Sequence, residues 1–161
     1  VCSSDLDVAT ITSYRVGRTG RTDASMRVLI VDDEPDIRQV LRMILEKNGC
    51  EVAEEKGAKR IVNAARKHEP DIILLDVMMP GVDGFTAVEA LQADKRTSDI
   101  PIAMLTALSD MDSIQRAIEA GATGYLTKPF SVELLYGQVE AILEKAKDDS
   151  GQKVVDYPRV V

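Results

Sequence analysis

Ile72 to Leu75 is an unbroken apolar run, Ile-Ile-Leu-Leu, with an aspartate on each side, Asp71 and Asp76. A strand with that pattern has no polar face to offer solvent, so it must be covered on both sides. That requirement predicts a sheet held between two layers of helices. The remaining chain supplies the parts. Met26-Arg-Val-Leu-Ile-Val31 reads as another buried strand. Pro35 suits the first position of a helix, and Ile37, Val40, Leu41, Ile44 and Leu45 recur at helical spacing. Asn48-Gly49 ends that helix. Glu51 to Glu55 is a weak strand, and Ile61, Ala64 and Ala65 mark a second helical face that Pro70 should stop. After the Ile72–Leu75 strand, Gly81 and Gly84 break the chain, and Phe85, Val88 and Leu91 mark a third helix. Ile100 to Leu105 reads as a fourth strand, followed by a helix through Ile114, Ala117 and Ile118 that stops at Gly121. Thr123 to Leu126 is a short fifth strand, and Leu135, Val139, Ile142 and Leu143 mark the last helix. Five strand–helix units in about 120 residues predict an α/β fold with a parallel sheet. Right-handed crossovers leave few topologies for it.

The ends fall outside this pattern. Val1 to Ser25 has no useful periodicity and lacks the apolar stretch of a secretory signal. It is expected to be a disordered extension. Its opening Val-Cys-Ser-Ser-Asp-Leu resembles the translation of a sequencing-adapter end, with Met26 as the native start. Residues 148–161 begin with a helix-stopping Asp-Asp-Ser-Gly and hold too few apolar residues for a second core. They are expected to be a flexible tail or a truncated linker. The domain itself is then 26–147. Acidic residues outnumber basic ones 27 to 20, giving a net charge of -7, which argues against direct binding to nucleic-acid phosphates. The two cysteines, Cys2 and Cys50, form no disulfide framework or metal-type spacing. No apolar run approaches the roughly 20 residues that span a bilayer. A cytoplasmic domain is expected.

In an open α/β sheet, ligands bind beyond the carboxyl ends of the strands. Asp32 and Asp33 follow the first strand, Asp76 ends the third, Thr106 follows the fourth, and Lys128 and Pro129 follow the fifth. Aspartates commonly end strands because they favour turns and cap helices. Five such groups converging on one rim are harder to explain that way. Clustered carboxylates repel one another, and a hard dication such as Mg²⁺ relieves the repulsion with oxygen ligands. Lys128 adds a point charge for a phosphoryl oxygen and Thr106 a hydrogen-bond donor. The set suits a phosphoryl group, with a carboxylate as nucleophile.

Four strings carry a resemblance: Val28-Leu-Ile-Val-Asp-Asp-Glu-Pro35, Ile72-Ile-Leu-Leu-Asp-Val-Met-Met-Pro-Gly-Val-Asp-Gly84, Met104-Leu-Thr-Ala107 and Gly121-Ala-Thr-Gly-Tyr-Leu-Thr-Lys-Pro-Phe130. In this order and spacing, from Met26 to about Lys147, the chain resembles the receiver domain of bacterial two-component response regulators. The resemblance implies a flavodoxin-like, doubly wound (βα)5 fold with a five-stranded parallel sheet in the order 2-1-3-4-5. It implies that Asp76 is the phosphoacceptor and Asp33 a direct Mg²⁺ ligand. Asp32 would orient the metal or its water, and the backbone carbonyl of Met78 would complete the protein's share of the shell. Lys128 would contact the phosphoryl group, pair with Asp76 in the free protein, and precede Pro129 through a cis bond. Thr106 and Tyr125 would be the switch pair, reshaping the face of the fourth helix, fifth strand and fifth helix. The implied partners are a sensor histidine kinase or histidine phosphotransfer protein, and a downstream protein or output domain on that face. A receiver fragment of a larger regulator with DNA-binding or enzymatic output is the alternative.

Several residues depart from common receiver patterns. Met78 and Leu108 are apolar where polar residues can position the hydrolytic water, so a long-lived phosphoaspartate is expected. Thr123 and Gly124 replace an acidic pair, and Tyr136 and Gly137 stand where an arginine is usual nearby. Both changes count against the dimer mode of receivers attached to winged-helix domains. His68 is expected to be a solvated helix-end residue, and Cys50 a small buried or half-buried hydrophobe. Met43, Met79, Met104 and Met111 are expected to fill core or loops, and Glu140 to Lys147 to be a solvated helix end. A haloacid-dehalogenase-like phosphatase would need an aspartate at Met78. A flavodoxin would need a phosphate loop where Asp32-Asp33-Glu34 stands.

Overall fold

The computed structural model describes residues 25–107 and 111–148. Residues 1–24 and 149–161, read above as extension and tail, lie outside the described residues, as does Leu108. The strands are β1 (Arg27–Val31), β2 (Glu51–Glu55), β3 (Ile72–Asp76), β4 (Ile102–Ala107) and β5 (Gly124–Lys128). The helices are α1 (Pro35–Lys47), α2 (Ile61–His68), α3 (Gly84–Ala93), α4 (Met111–Ala120) and α5 (Leu135–Asp148), with a 3-10 turn at Ala58–Arg60 before α2. All strand pairs are parallel and the order is 2-1-3-4-5. The α/β, flavodoxin-like fold expected from the sequence is the fold observed.

The alternation of side chains along each strand divides the core in two. Leu29, Val31, Ile73, Leu75, Ile102 and Met104 face α2, α3 and α4, where they meet Ile61, Ala65, Val88, Leu91 and Ala117. Val28, Ile30, Ile72, Leu74, Ala103 and Leu105 face α1 and α5, where they meet Leu41, Leu45, Leu135 and Val139. Every residue of β3 is buried, as its composition demands. β2 is an edge strand with exposed Glu51 and Glu54, charges that discourage pairing with another chain.

Element boundaries differ from the sequence reading by one or two residues. β4 starts at Ile102 rather than Ile100, because Pro101 has no N–H for the ladder and Ile100 instead closes a turn on Thr97 O at 3.0 Å. β5 runs from Gly124 to Lys128, with Thr123 just outside it accepting a bond from Ile102 N. α2 ends when Glu69 enters the left-handed region at φ 46°, one residue before Pro70. Gly49, at φ 84°, makes the same exit after α1, where glycine bears no Cβ penalty. Asp148 closes α5 rather than opening the tail.

Two side-chain expectations on α1 fail. Val40 is 42% exposed and Met43 64% exposed, so neither belongs to the core. The buried α1 residues are Arg38, Leu41, Ile44 and Leu45. Residues 38, 41 and 45 are spaced i, i+3, i+7, which puts Arg38 on the inward stripe. Met79, Met104 and Cys50 are buried as expected. His68, the last residue of α2, is half-buried rather than fully solvated.

Candidate functional site

The sheet ends in a set of carboxylates at its carboxyl rim. Asp32 follows β1 and is fully buried, and Asp76 ends β3 at 3% exposure. Asp33 and Glu34, in the turn between β1 and α1, are exposed. One carboxylate oxygen from each of Asp32, Asp33, Glu34 and Asp76 lies within 4.8 Å of all the others. β1 and β3 are hydrogen-bonded neighbours, so their ends are adjacent without any loop having to reach across. Glu34 was not named among the site residues from the sequence. Its place beside two aspartates was the available signal.

Local backbone bonds fix the two buried acids. The Glu34 N–H donates to Asp32 Oδ1 at 2.9 Å, and the Met78 N–H donates to Asp76 Oδ1 at 3.1 Å. Both are side-chain turns in which an aspartate binds the backbone two residues on. Each leaves the second oxygen facing the notch. There the Lys128 ammonium sits 3.1 Å from Asp32 Oδ2 and 3.3 Å from Asp76 Oδ2. The Lys128–Pro129 bond is cis. The α3 N-terminus closes in behind Asp76. A Cβ on Gly84 would lie 3.0 Å from Val77 Cα and 3.2 Å from Asp76 O, so only glycine fits without displacing that backbone.

The electrostatics follow from burial and shared partners. Burial pushes the Asp76 carboxyl up to about 6; the Met78 N–H opposes this, the Asp32 charge adds to it, and Lys128 opposes it. Burial works to lower Lys128, but the Asp76 and Asp32 carboxylates outweigh it and hold the ammonium above its ordinary value. Lys128 therefore stays charged and cannot neutralise four acids alone. The donors are hard oxygens, the charge is in excess, and the groups converge. This set fits a divalent cation of the Mg²⁺ type.

The other expected residues take these places. Thr106 is buried near the end of β4, and its hydroxyl donates to Ala107 O at a long 3.4 Å. Thr106 pairs with Thr127 and Met104 with Tyr125, so Thr106 and Tyr125 share one face of the sheet. The half-buried Tyr125 packs against the cluster facing α2–α4. The Met78 backbone is drawn to the notch while its side chain is 75% exposed. Asp32, Asp33, Asp76 and Lys128 thus meet in one place.

Comparison with known proteins agrees with this geometry. The family model described as the response regulator receiver domain matches residues 28–140. The chain is 41% identical over 119 residues to the DNA-binding dual master transcriptional regulator RpaA of Synechocystis sp., covering 74% of this chain and 49% of RpaA. It is 40% identical over 118 residues to the phosphate regulon transcriptional regulatory protein PhoB of Pseudomonas aeruginosa, covering 73% of this chain and 52% of PhoB. The chain thus spans about half the length of the curated relatives it matches. Among solved structures, a putative response regulator from Chloroflexus aurantiacus superposes with a TM-score of 0.71 at 34% identity, covering 74% of this chain and 98% of that one. The Vibrio cholerae chemotaxis protein CheY4 superposes at 0.69 with 34% identity, covering 73% and 98%. Fold, rim and relatives coincide over the same stretch of chain, and the chain belongs to the response regulator receiver domain family.

Proposed function

We propose that this receiver takes a phosphoryl group on Asp76 from a histidine kinase or a histidine phosphotransfer protein. The observation that carries the reading is the notch itself: Asp76 Oδ2 lies 3.3 Å from Lys128 Nζ, with oxygens of Asp32, Asp33 and Glu34 gathered around it. A carboxylate oxygen of Asp76 bonds to phosphorus as the bond from phosphorus to the donor imidazole breaks. The product is an acyl phosphate, and the imidazole leaves carrying the bond's electron pair. Mg²⁺, held by Asp33, Asp76 and the Met78 carbonyl with Asp32 orienting it or its water, would neutralise charge on the transferring group.

The protein's own groups do the rest. Lys128 exchanges its contact with Asp76 for one with the phosphoryl oxygens. Thr106, on a neighbouring strand end, turns its hydroxyl toward the same oxygens. Tyr125, on the same face of the sheet, moves into the space that Thr106 leaves. The surface formed by α4, β5 and α5 then changes shape and alters binding of a downstream protein or output domain. This is a two-state equilibrium biased by phosphate, so some active form exists without it. The domain turns over no separate substrate, makes no direct nucleic-acid contact of its own, and works in the cytoplasm. No described helix is long and apolar enough to cross a membrane. Membership of a longer regulator with DNA-binding output is favoured by RpaA and PhoB, which are about twice the aligned length.

Incubation with acetyl phosphate and magnesium chloride, followed by intact mass spectrometry, tests the central step. Wild type should gain one phosphoryl group and Asp76→Asn none. An adduct that persists in the variant would overturn the assignment.

A further inference from the structure

Three charged side chains are buried among the described residues: Asp32, Asp76 and Arg38. The first two belong to the notch. Arg38 is 8% exposed on the inward stripe of α1. A buried guanidinium is unfavourable unless its donors are engaged. Arg38 engages a backbone oxygen, with Nη1 donating to Asp32 O at 2.7 Å. The same residue's N–H donates to Glu34 O at 3.2 Å, and the Glu34 N–H returns to Asp32 Oδ1 at 2.9 Å. Asp32, Glu34 and Arg38 therefore close a ring of three hydrogen bonds around the turn that carries Asp33. The Asp32 N–H adds only a 3.3 Å bond to Glu55 O. Without the guanidinium, the Asp32 carbonyl just past β1 loses this buried donor, and only the backbone bond from the Arg38 N–H to Glu34 O still ties the turn to α1.

We propose that Arg38 is a positioning residue for the metal-binding notch. It clamps the Asp32–Glu34 turn so that the Asp32 and Asp33 carboxylates meet Asp76 around one divalent cation, and it touches neither the cation nor the phosphoryl group. The inference rests on the phosphoacceptor reading. Its chemistry is that of residues that orient metal ligands from behind, whose loss typically weakens metal binding about 10- to 100-fold.

The test is a magnesium chloride titration of the full chain, followed by amide chemical shifts, in wild type, Arg38→Met, Arg38→Lys and Ile44→Val. Arg38→Met keeps the apolar stem and removes the donors, and should weaken Mg²⁺ binding about tenfold. Arg38→Lys keeps the charge and one reachable donor and should recover part of that loss. Ile44→Val lowers the melting midpoint through the same helix and should leave the Mg²⁺ affinity within about twofold of wild type. Mg²⁺ affinity within about twofold of wild type in Arg38→Met would overturn the clamp. If Arg38→Met does not fold, Arg38→Lys and Arg38→Gln carry the comparison, and wild-type affinity in both has the same consequence. A wild type without Mg²⁺-dependent shifts would instead overturn the phosphoacceptor reading beneath it. A wild type that binds Mg²⁺ alongside an indistinguishable Arg38→Met would overturn only the clamp.

Discussion

The two ends of the sheet handle acidic residues differently. At the amino end, Asp71 and Glu51 bind separate donor groups. Asp71 Oδ2 accepts the Arg27 N–H at 2.8 Å, and Glu51 accepts from Arg27 Nε and from Ser25 Oγ, each at 3.1 Å. At the carboxyl end, four carboxylates crowd together and two of them share one ammonium. Asp94, at the C-terminal end of α3, shows what uncontested donors do: the Arg66 guanidinium, helped by the Arg96 N–H, holds its carboxyl below the usual range. Asp76 goes the other way, up to about 6, because burial and the Asp32 charge outweigh its share of Lys128. Asp71, Glu51 and Asp94 each have donors that no other acid of the three uses at the same atom. The carboxyl rim keeps an excess of negative charge, a stability cost that a divalent cation can relieve.

The sharpest way to break this contrast is Asp76→Asn. It should abolish uptake of phosphate from acetyl phosphate altogether. It should also stabilise the metal-free protein at pH 7 by on the order of 2 kcal/mol, since the buried charge is removed while Lys128 keeps Asp32. The sign with pH follows from linkage. A carboxyl that titrates near 6 when folded and near 3.8 when unfolded binds more protons in the native state between those values. Wild type therefore gains stability as pH falls through 6 toward 4, and the advantage of the variant should shrink over that window. A denaturant titration at pH 7.5 and pH 4.5 checks it, and an unchanged difference would refute the excess-charge account.

Asp33→Asn should come next. Asp33 is exposed, so metal-free stability should move by less than about 0.5 kcal/mol. Saturating Mg²⁺ should stabilise wild type, by about 2.7 kcal/mol at a hundredfold excess over Kd, and the variant far less. Paired thermal melts with and without magnesium chloride read this directly. Met78→Asn addresses lifetime. The exposed apolar side chain offers nothing to orient water, so wild-type phosphoaspartate should decay slowly and the variant up to about tenfold faster in a phosphate-release assay.

The amino rim should give smaller effects of a different kind. Asp71→Ala removes the acceptor for the Arg27 N–H and should cost about 1 kcal/mol by chemical denaturation. Phosphate uptake and Mg²⁺ binding should not change. Glu51→Gln weakens a pair in which Glu51 is 57% exposed, and should shift stability by no more than about 0.5 kcal/mol. A loss of Mg²⁺ binding in either variant would mean that the two rims are not separate.

Particular residues show how far the sequence could be read. β3 was legible because four consecutive large apolar residues admit only a doubly covered strand. Asp32, Asp33, Asp76, Thr106 and Lys128 could be placed on one rim because strand ends in a parallel sheet all point the same way. Val40 and Met43 were misjudged on α1, and the burial of Arg38 was not foreseen. A helical stripe is defined only to within a residue or so, and whether its margin is covered depends on the neighbouring element. The β4 boundary was misplaced because hydropathy does not register that Pro101 cannot donate to the ladder.

The order of strand and helix, the two-faced burial of β3 and the identity of the rim residues were determined by the sequence alone, because side-chain periodicity and strand direction are local properties. Tertiary structure decided the rest: which acids share Lys128, how far burial lifts Asp76, and that a buried arginine holds the turn beneath the notch. Those outcomes depend on distances between residues up to 96 positions apart in the chain, and charge interactions at such sites are set by separation and solvent exclusion, which no local pattern encodes.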